Sequence, residues 1–307
     1  MNPADLARAL EDVSAVTVTA LRPDLTVDEE TTRRHVRFLV EGGVRIVVPA
    51  GNTGEFYALT REENERVIRL AADEAKGKAL VVAGVGYTMQ DAAHLARAAQ
   101  DAGADAIMIH QPICPYVHPD GLARYYLAIA EAVSIGVVLY VKDAAVTPAT
   151  LAPALAHPRV VGVKYAVNDV QKVGAMTAAF PAAKHNVAWI CGTAEAWAPY
   201  FWTAGARGFT SGLVNVAPHL ALALLDALRA GDQAEIARLW ALLRPFEDLR
   251  ARHANGNNVA VVKAALAMAG RPVGAVRPPS ADMRAEDEPA LRAVLQSWGV
   301  GLRAAAE

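Results

Sequence analysis

Short apolar, β-branched runs recur along this chain at residues 15–21, 44–49, 79–84, 106–110, 136–140, 160–164, 187–191 and 208–210, separated by longer segments of helical period. A strand buried on both faces reads as a continuous apolar run, and two parallel strands need a long crossover between them. The alternation therefore predicts parallel βαβ units. Eight units in about 215 residues match the count of an α/β fold of the (β/α)8 TIM barrel type. Thr60 and Glu63 stand at capping-box spacing and predict a helix over 61–76; Thr88 opens another over 89–102. Pairs such as Gly103-Ala104 and Gly205-Ala206 before the strands fit helix C-caps. A doubly wound sheet is the runner-up, but Thr19-Ala20-Leu21-Arg22-Pro23 after the first run lacks a glycine-rich dinucleotide turn. From about Pro218 the pattern is helical only, in segments 234–250, 257–269 and 286–298. The expected organisation is a barrel over 1–225 and a C-terminal helical extension over 226–307.

With 307 residues, one large barrel has ample core. A hydrophobic content of 53% and a mean hydropathy of +0.19 exclude a disordered or low-complexity chain. Net charge is -2 and no basic run is present, which excludes the electrostatic footprint of nucleic-acid or anionic-membrane binding. Cys114 and Cys191 lack metal-ligand spacing and suit a reducing compartment. The first 22 residues show no export pattern, and no segment approaches ~18 uninterrupted apolar residues, so a cytoplasmic location is expected.

One of the eight runs is anomalous. Val160-Val161-Gly162-Val163 leads directly into Lys164, a cation in a strand that should be buried on both faces. Desolvation disfavours an ammonium, so a lysine held there becomes an amine nucleophile able to form a Schiff base with a carbonyl. An amine of pKa ~10.4 is free in only about one molecule in a few thousand at neutral pH; a depression of about three units raises that to roughly a third. The bland reading is a strand-end lysine snorkelling into solvent.

In a barrel the residues just after each strand form the active face. Gly51, Asn52, Thr53 and Gly54 follow the second run and can present amides and a hydroxyl to a carboxylate; a plain tight turn is the alternative. Tyr140, followed by Val141, Lys142 and Asp143, ends the fifth run as a proton shuttle or an aromatic plug. Gly192 follows the seventh and Thr210 ends the eighth. His110 follows the fourth run as a pocket acid or base, or as a hydrogen-bonded structural histidine; His118 is weaker still. Trp197, Tyr200, Phe201 and Trp202 read as core or subunit interface. No histidines or carboxylates share ligand spacing, so neither a metal nor a cofactor is expected.

These residues, taken together, give a resemblance. Gly51-Asn52-Thr53-Gly54-Glu55-Phe56, Leu59-Thr60, Gly84-Val85-Gly86, Leu139-Tyr140, Gly162-Val163-Lys164, Asn215-Val216-Ala217-Pro218, Lys263 and Arg277-Pro278-Pro279 occur in order over nearly the whole chain. The chain resembles the dihydrodipicolinate synthase and N-acetylneuraminate lyase superfamily, class I aldolases and dehydratases of 2-keto acids. The resemblance implies that Lys164 forms the Schiff base, Tyr140 moves protons, and Thr53 with adjacent amides binds the keto-acid carboxylate. It implies that Glu55 is structural, that Gly192 is the glycine after strand seven, and that Thr210 brings a strand-eight carbonyl to the pocket. A homo-oligomer, dimer or tetramer, is implied too.

The chain departs from the synthases in three places. Asn52 stands where synthases carry a relay threonine, Pro112-Ile113-Cys114 replaces a tyrosine pair with Tyr116 nearby, and Ala145 replaces an arginine that grips an incoming semialdehyde. Tyr140-Val141-Lys142-Asp143 is closer to the Tyr-Asn-Arg-Asp of 5-dehydro-4-deoxyglucarate dehydratases, and Phe56 points the same way. The expected activity is a Schiff-base lyase that cleaves, condenses or dehydrates a keto sugar acid. Lys142, Asp143, Asn52 and His110 are candidates for its distal hydroxyls or second carboxylate. The alternatives are a synthase-like condensation or a keto-acid-binding barrel without turnover.

Overall fold

The computed structural model describes residues 1–302, so the last part of the expected extension, 303–307, lies outside the described residues. Eight strands form the barrel: β1 Val13–Val16, β2 Ile46–Val48, β3 Leu80–Val85, β4 Ala106–Ile109, β5 Gly136–Val141, β6 Val160–Tyr165, β7 Ala188–Cys191 and β8 Gly208–Ser211. They pair in chain order, all parallel, and β1 closes on β8. Each is covered by a following helix, as the period-switching pattern requires. Thr60 and Glu63 form the expected capping box on Arg61–Ala75, and the Thr88 hydroxyl accepts from the Asp91 amide at the start of Met89–Asp101.

Two apolar layers hold the barrel. Val16, Val48, Met108, Val138 and Ile190 fill its interior, closed at the amino end by Leu6 and Leu10 from the helix Pro3–Ala9 and its cap. The larger layer lies between strands and helices and takes the alternate residues, such as Val163, Tyr165 and Cys191. Tyr140 belongs to the interior layer, and it pairs in register with Lys164, which in turn faces Ile190. Register thus puts the tyrosine and the lysine side by side at the carboxyl ends of neighbouring strands.

The first strand is shorter than the run 15–21 predicts. Asn215 explains the end: its Nδ2 donates to the Val16 carbonyl at 2.9 Å and its Oδ1 accepts from the Val18 amide at 3.2 Å. Thr17 still donates to the Val48 carbonyl of β2 at 3.2 Å, but from Val18 the chain is bonded to the turn beyond β8, and Leu21 forms an antiparallel bridge with Val27. Beyond β8 the chain is helical: Pro218–Ala230, Gln233–Asn255, Ala260–Met268 and Glu288–Ser297. The long helix leaves helical backbone from Arg252 to Ala254. The next one begins at Ala260, later than 257, and the Asn258 carbonyl ahead of it accepts from Arg250 Nε at 3.1 Å. Among the described residues, no helix is long and apolar enough to cross a membrane.

Candidate active site

A cavity of about 810 Å³ opens at the carboxyl ends of the strands, and Lys164 lines it with Tyr140, Asn52, Thr53, Gly192 and Thr210. Lys164 is only 4% exposed. Burial pushes its pKa down to about 7, the nearby Cys191 opposes this, and the cations of Lys142 and Arg250 add to the depression. Among the described residues no carboxylate pairs with it, so nothing restores the ammonium form. Its Nζ lies 4.1 Å from the centroid of the Tyr140 ring. Gly192 makes room for this side chain: a Cβ there would come within 2.7 Å of Ala166 Cβ and 3.1 Å of Lys164 Cγ.

Tyr140 is held from two sides. Its backbone carbonyl accepts from the Tyr126 hydroxyl at 2.7 Å, and its own hydroxyl accepts from Asn52 Nδ2 at 3.1 Å. Burial raises the phenol to about 12, partly offset by the Asn52 hydrogen bond, so the group keeps its proton at neutral pH and can donate it. Gln111 Oε1 accepts from the Lys142 and Asp143 amides at 2.8 and 3.0 Å, fixing the turn that follows.

The glycine loop after β2 is packed tightly against β1. A Cβ at Gly51 would meet Val16 Cγ1 at 2.4 Å and one at Gly54 would meet the Thr17 carbonyl at 2.8 Å, so these two glycines let the loop close rather than line the cavity themselves. Thr53 is buried and lines it. Glu55 ends the loop in left-handed backbone at φ 63°. Its carboxylate pairs with buried Lys263 and accepts from the Arg277 amide at 2.7 Å. The Arg277 guanidinium in turn donates to both oxygens of Glu63, at 2.6 and 2.9 Å. The loop is thus clamped by the C-terminal extension.

Of three residues expected to read the distal part of the substrate, two sit outside the cavity. His110 is buried behind Tyr140 and does not line the cavity: its Nε2 donates to the Ala50 carbonyl at 3.0 Å and its ring stacks on Phe56 with centroids 4.2 Å apart. Burial lowers it to about 3, so it is neutral. Asp143 is exposed and its carboxylate accepts from the Ala145 amide at 2.8 Å. Lys142 does line the cavity, as an exposed cation at the rim with no ion pair among the described residues; its Nζ lies 5.9 Å from the Tyr57 ring centroid.

One wall was not foreseen. Arg244, Glu247, Asp248, Arg250 and Ala251 from the helix Gln233–Asn255 face the cavity, joined by Asn258. Positions 244, 247, 248 and 251 recur at the spacing of one helical face, which is a signal the sequence carries, but a charged face ordinarily reads as solvated. Arg250 and Glu247 form a buried pair at 2.8 Å, and Arg244 pairs with Asp248 at 2.6 Å. Glu195, buried beside them, accepts from the Ser211 hydroxyl, and burial raises its pKa. The two thiols are free, Cys114 exposed and Cys191 buried.

A model of the dihydrodipicolinate synthetase family matches residues 9–298. A probable 5-dehydro-4-deoxyglucarate dehydratase from Saccharopolyspora erythraea is 36% identical over 271 residues, covering 87% of this chain and 86% of that protein. Among solved structures, a dihydrodipicolinate synthase from Bacillus clausii superposes with a TM-score of 0.93 at 43% identity, covering 96% of this chain and 99% of that one. A chloride-inhibited dihydrodipicolinate synthase from Acinetobacter baumannii, complexed with pyruvate, gives 0.86 at 26% identity, covering 95% and 100%. Fold and sequence agree over almost the whole length: this chain belongs to the dihydrodipicolinate synthetase family, and it is an enzyme of the lyase class.

Proposed function

We propose that Lys164 forms a Schiff base with a 2-keto acid and that the enzyme removes water from a keto sugar acid. One observation carries the reading: a buried amine near pKa 7, without a carboxylate partner, against the Tyr140 ring in an open cavity. The free amine attacks the keto carbon, and the carbonyl oxygen leaves as water. The protonated imine draws electrons from the neighbouring carbon, which gives up a proton to form an enamine. The enamine then expels the hydroxyl of the next carbon as a second water, and hydrolysis of the imine returns one water and frees Lys164, so one water is lost overall. Tyr140 donates and takes protons at the reacting oxygens. Thr53 and the adjacent loop amides hold the carboxylate.

Pyruvate in the Acinetobacter synthase and the dehydratase name of the Saccharopolyspora protein support the substrate class. Unpaired Lys142 at the rim suits the second carboxylate of a sugar diacid, because Arg244 and Arg250 already have carboxylate partners. Condensation of pyruvate with an amino-acid semialdehyde is the second reading, favoured by the 43% identity to the Bacillus clausii synthase. Uncharged Ala145 speaks against it. The same reading carries a homo-oligomer, dimer or tetramer, working in the cytoplasm, where free thiols are stable.

Borohydride reduction with pyruvate, followed by peptide mass spectrometry, should place an adduct on Lys164. Turnover of 5-dehydro-4-deoxyglucarate without pyruvate release identifies a dehydratase; pyruvate release identifies an aldolase. An adduct without turnover of any keto sugar acid or semialdehyde leaves only a keto-acid-binding barrel. Failure to trap either pyruvate or the sugar acid overturns the mechanism.

A further inference from the structure

The imine chemistry leaves the amide at position 52 unexplained. Asn52 opens the short turn Asn52–Gly54 and lines the cavity. Its Nδ2 donates to the Tyr140 hydroxyl at 3.1 Å, while its Oδ1 is buried and has no hydrogen-bond partner among the described residues. Buried acceptors are rarely left unpaired, because losing water without a replacement donor is costly. The turn cannot swing this oxygen back to solvent cheaply: the Asn52 carbonyl accepts from the Glu55 amide at 3.0 Å, and Glu55 is itself clamped by Lys263 and Arg277. Water in the cavity can supply that donor, and a ligand that displaces the water must supply it instead.

The other half of the amide acts on Tyr140. An amide N–H only donates, so the phenol oxygen that receives it keeps its own proton for a different partner. A hydroxyl at position 52 could both give and take a proton, and would lead the Tyr140 proton away from the reaction. Burial keeps the phenol protonated, with Asn52 easing it back only partly. Tyr140 thus has one outlet for its proton, toward the cavity that Lys164 also faces.

We infer that Asn52 is a positioning and recognition residue: its NH2 fixes Tyr140 as a donor toward the substrate, and its Oδ1 accepts a hydrogen bond from a substrate hydroxyl that pyruvate lacks. The ligand class is a 2-keto acid carrying a hydroxyl beyond its third carbon, and the inference rests on Lys164 as the imine-forming amine. Two substitutions separate the halves of the amide. Asn52→Thr can still donate to Tyr140, but its single oxygen, one bond closer to the backbone, replaces the separate amide oxygen that reaches the substrate; Asn52→Asp keeps that acceptor but turns the Tyr140 proton toward itself.

The test is competition in the intact chain: pyruvate is trapped on Lys164 by borohydride while 5-dehydro-4-deoxyglucarate is added, so no turnover is needed. In Asn52→Thr the sugar-acid concentration that halves trapping should rise about tenfold. The pyruvate half-saturation should move less than about threefold, which also reports an intact fold. In Asn52→Asp the order reverses: competition stays within about threefold while the rate of trapping falls about tenfold or more. Equal shifts for both acids in Asn52→Thr, or a sugar acid that fails to compete in the unaltered protein, overturn the inference while leaving Lys164 chemistry standing. No pyruvate adduct in the unaltered protein overturns both.

Discussion

Two lysines are buried in this molecule to nearly the same degree, and they do opposite things. Lys164 at the barrel mouth is 4% exposed and Lys263 in the seam beneath the glycine loop is 3% exposed. Lys263 pairs with Glu55 and donates to the Ala275 carbonyl at 2.8 Å. Burial still lowers its pKa, but the Glu55 charge and hydrogen bond oppose the shift, so the side chain acts as a charged strut. Among the described residues Lys164 has no such partner, two neighbouring cations push in the same direction as burial, and its pKa falls to about 7. Burial alone does not make a nucleophile. The absence of a carboxylate is what leaves the amine free to act as the proposed nucleophile, and the strut in turn holds the loop that faces it.

Exchanging the properties of the two lysines tests the comparison. Lys164→Ala should abolish pyruvate trapping and cut turnover by roughly 10³-fold or more, and a variant with full turnover would break it outright. Lys164→Met should in addition stabilise the fold. The folded-state pKa of about 7 lies below the ordinary 10.5, so the unfolded chain holds more protons between those values. The penalty is absent above 10.5, grows as pH falls through that window and is fully present below about 7. Urea unfolding should therefore show the advantage of Lys164→Met widening from pH 10 down to 7 and flat below.

Tyr140→Phe should slow turnover about 10²–10⁴-fold with KM changed little, because the proton donor goes while the carboxylate site stays. An unchanged kcat would remove Tyr140 from the mechanism. At the strut, Lys263→Met leaves Glu55 buried without its cation and should cost ~3–5 kcal/mol in urea unfolding. Lys263→Met with Glu55→Leu should recover part of that loss, since an apolar pair replaces the charges. A single-variant loss below about 1 kcal/mol would mean that Lys263 is no strut. The smallest effect belongs to the rim. The rate of pyruvate trapping should rise with pH to a plateau above about 7, as the free amine fills. Lys142→Met removes a neighbouring cation, which favours the ammonium of Lys164, so the midpoint should move upward; a downward move would refute the electrostatic role.

The strands were legible because burial on both faces writes an unbroken apolar run, and Lys164 stood out because it breaks that rule at β6. The boundaries were less legible. Thr17 to Leu21 look as apolar as Val13 to Val16, and only Asn215, some 200 residues later, takes the backbone groups that end β1. His110 shows the same limit from the other side: its position after β4 allowed a pocket role, but which way the ring turns depends on the Ala50 carbonyl and the Phe56 face. The wall from Gln233–Asn255 went unseen because charge on one helical face looks the same whether it meets water or a cavity.

By itself the sequence determined what is local or periodic: eight buried strands, the helices that cover them, the glycine loop, and a lysine and a tyrosine at strand ends. Only the tertiary structure decided what each polar group meets. The closed barrel puts Asn52 on Tyr140, 88 residues away, and the extension brings the Arg277 amide to Glu55 across 222 residues. Whether a buried lysine is a strut or a nucleophile depends on the charges that chain closure brings beside it, and no local period encodes them.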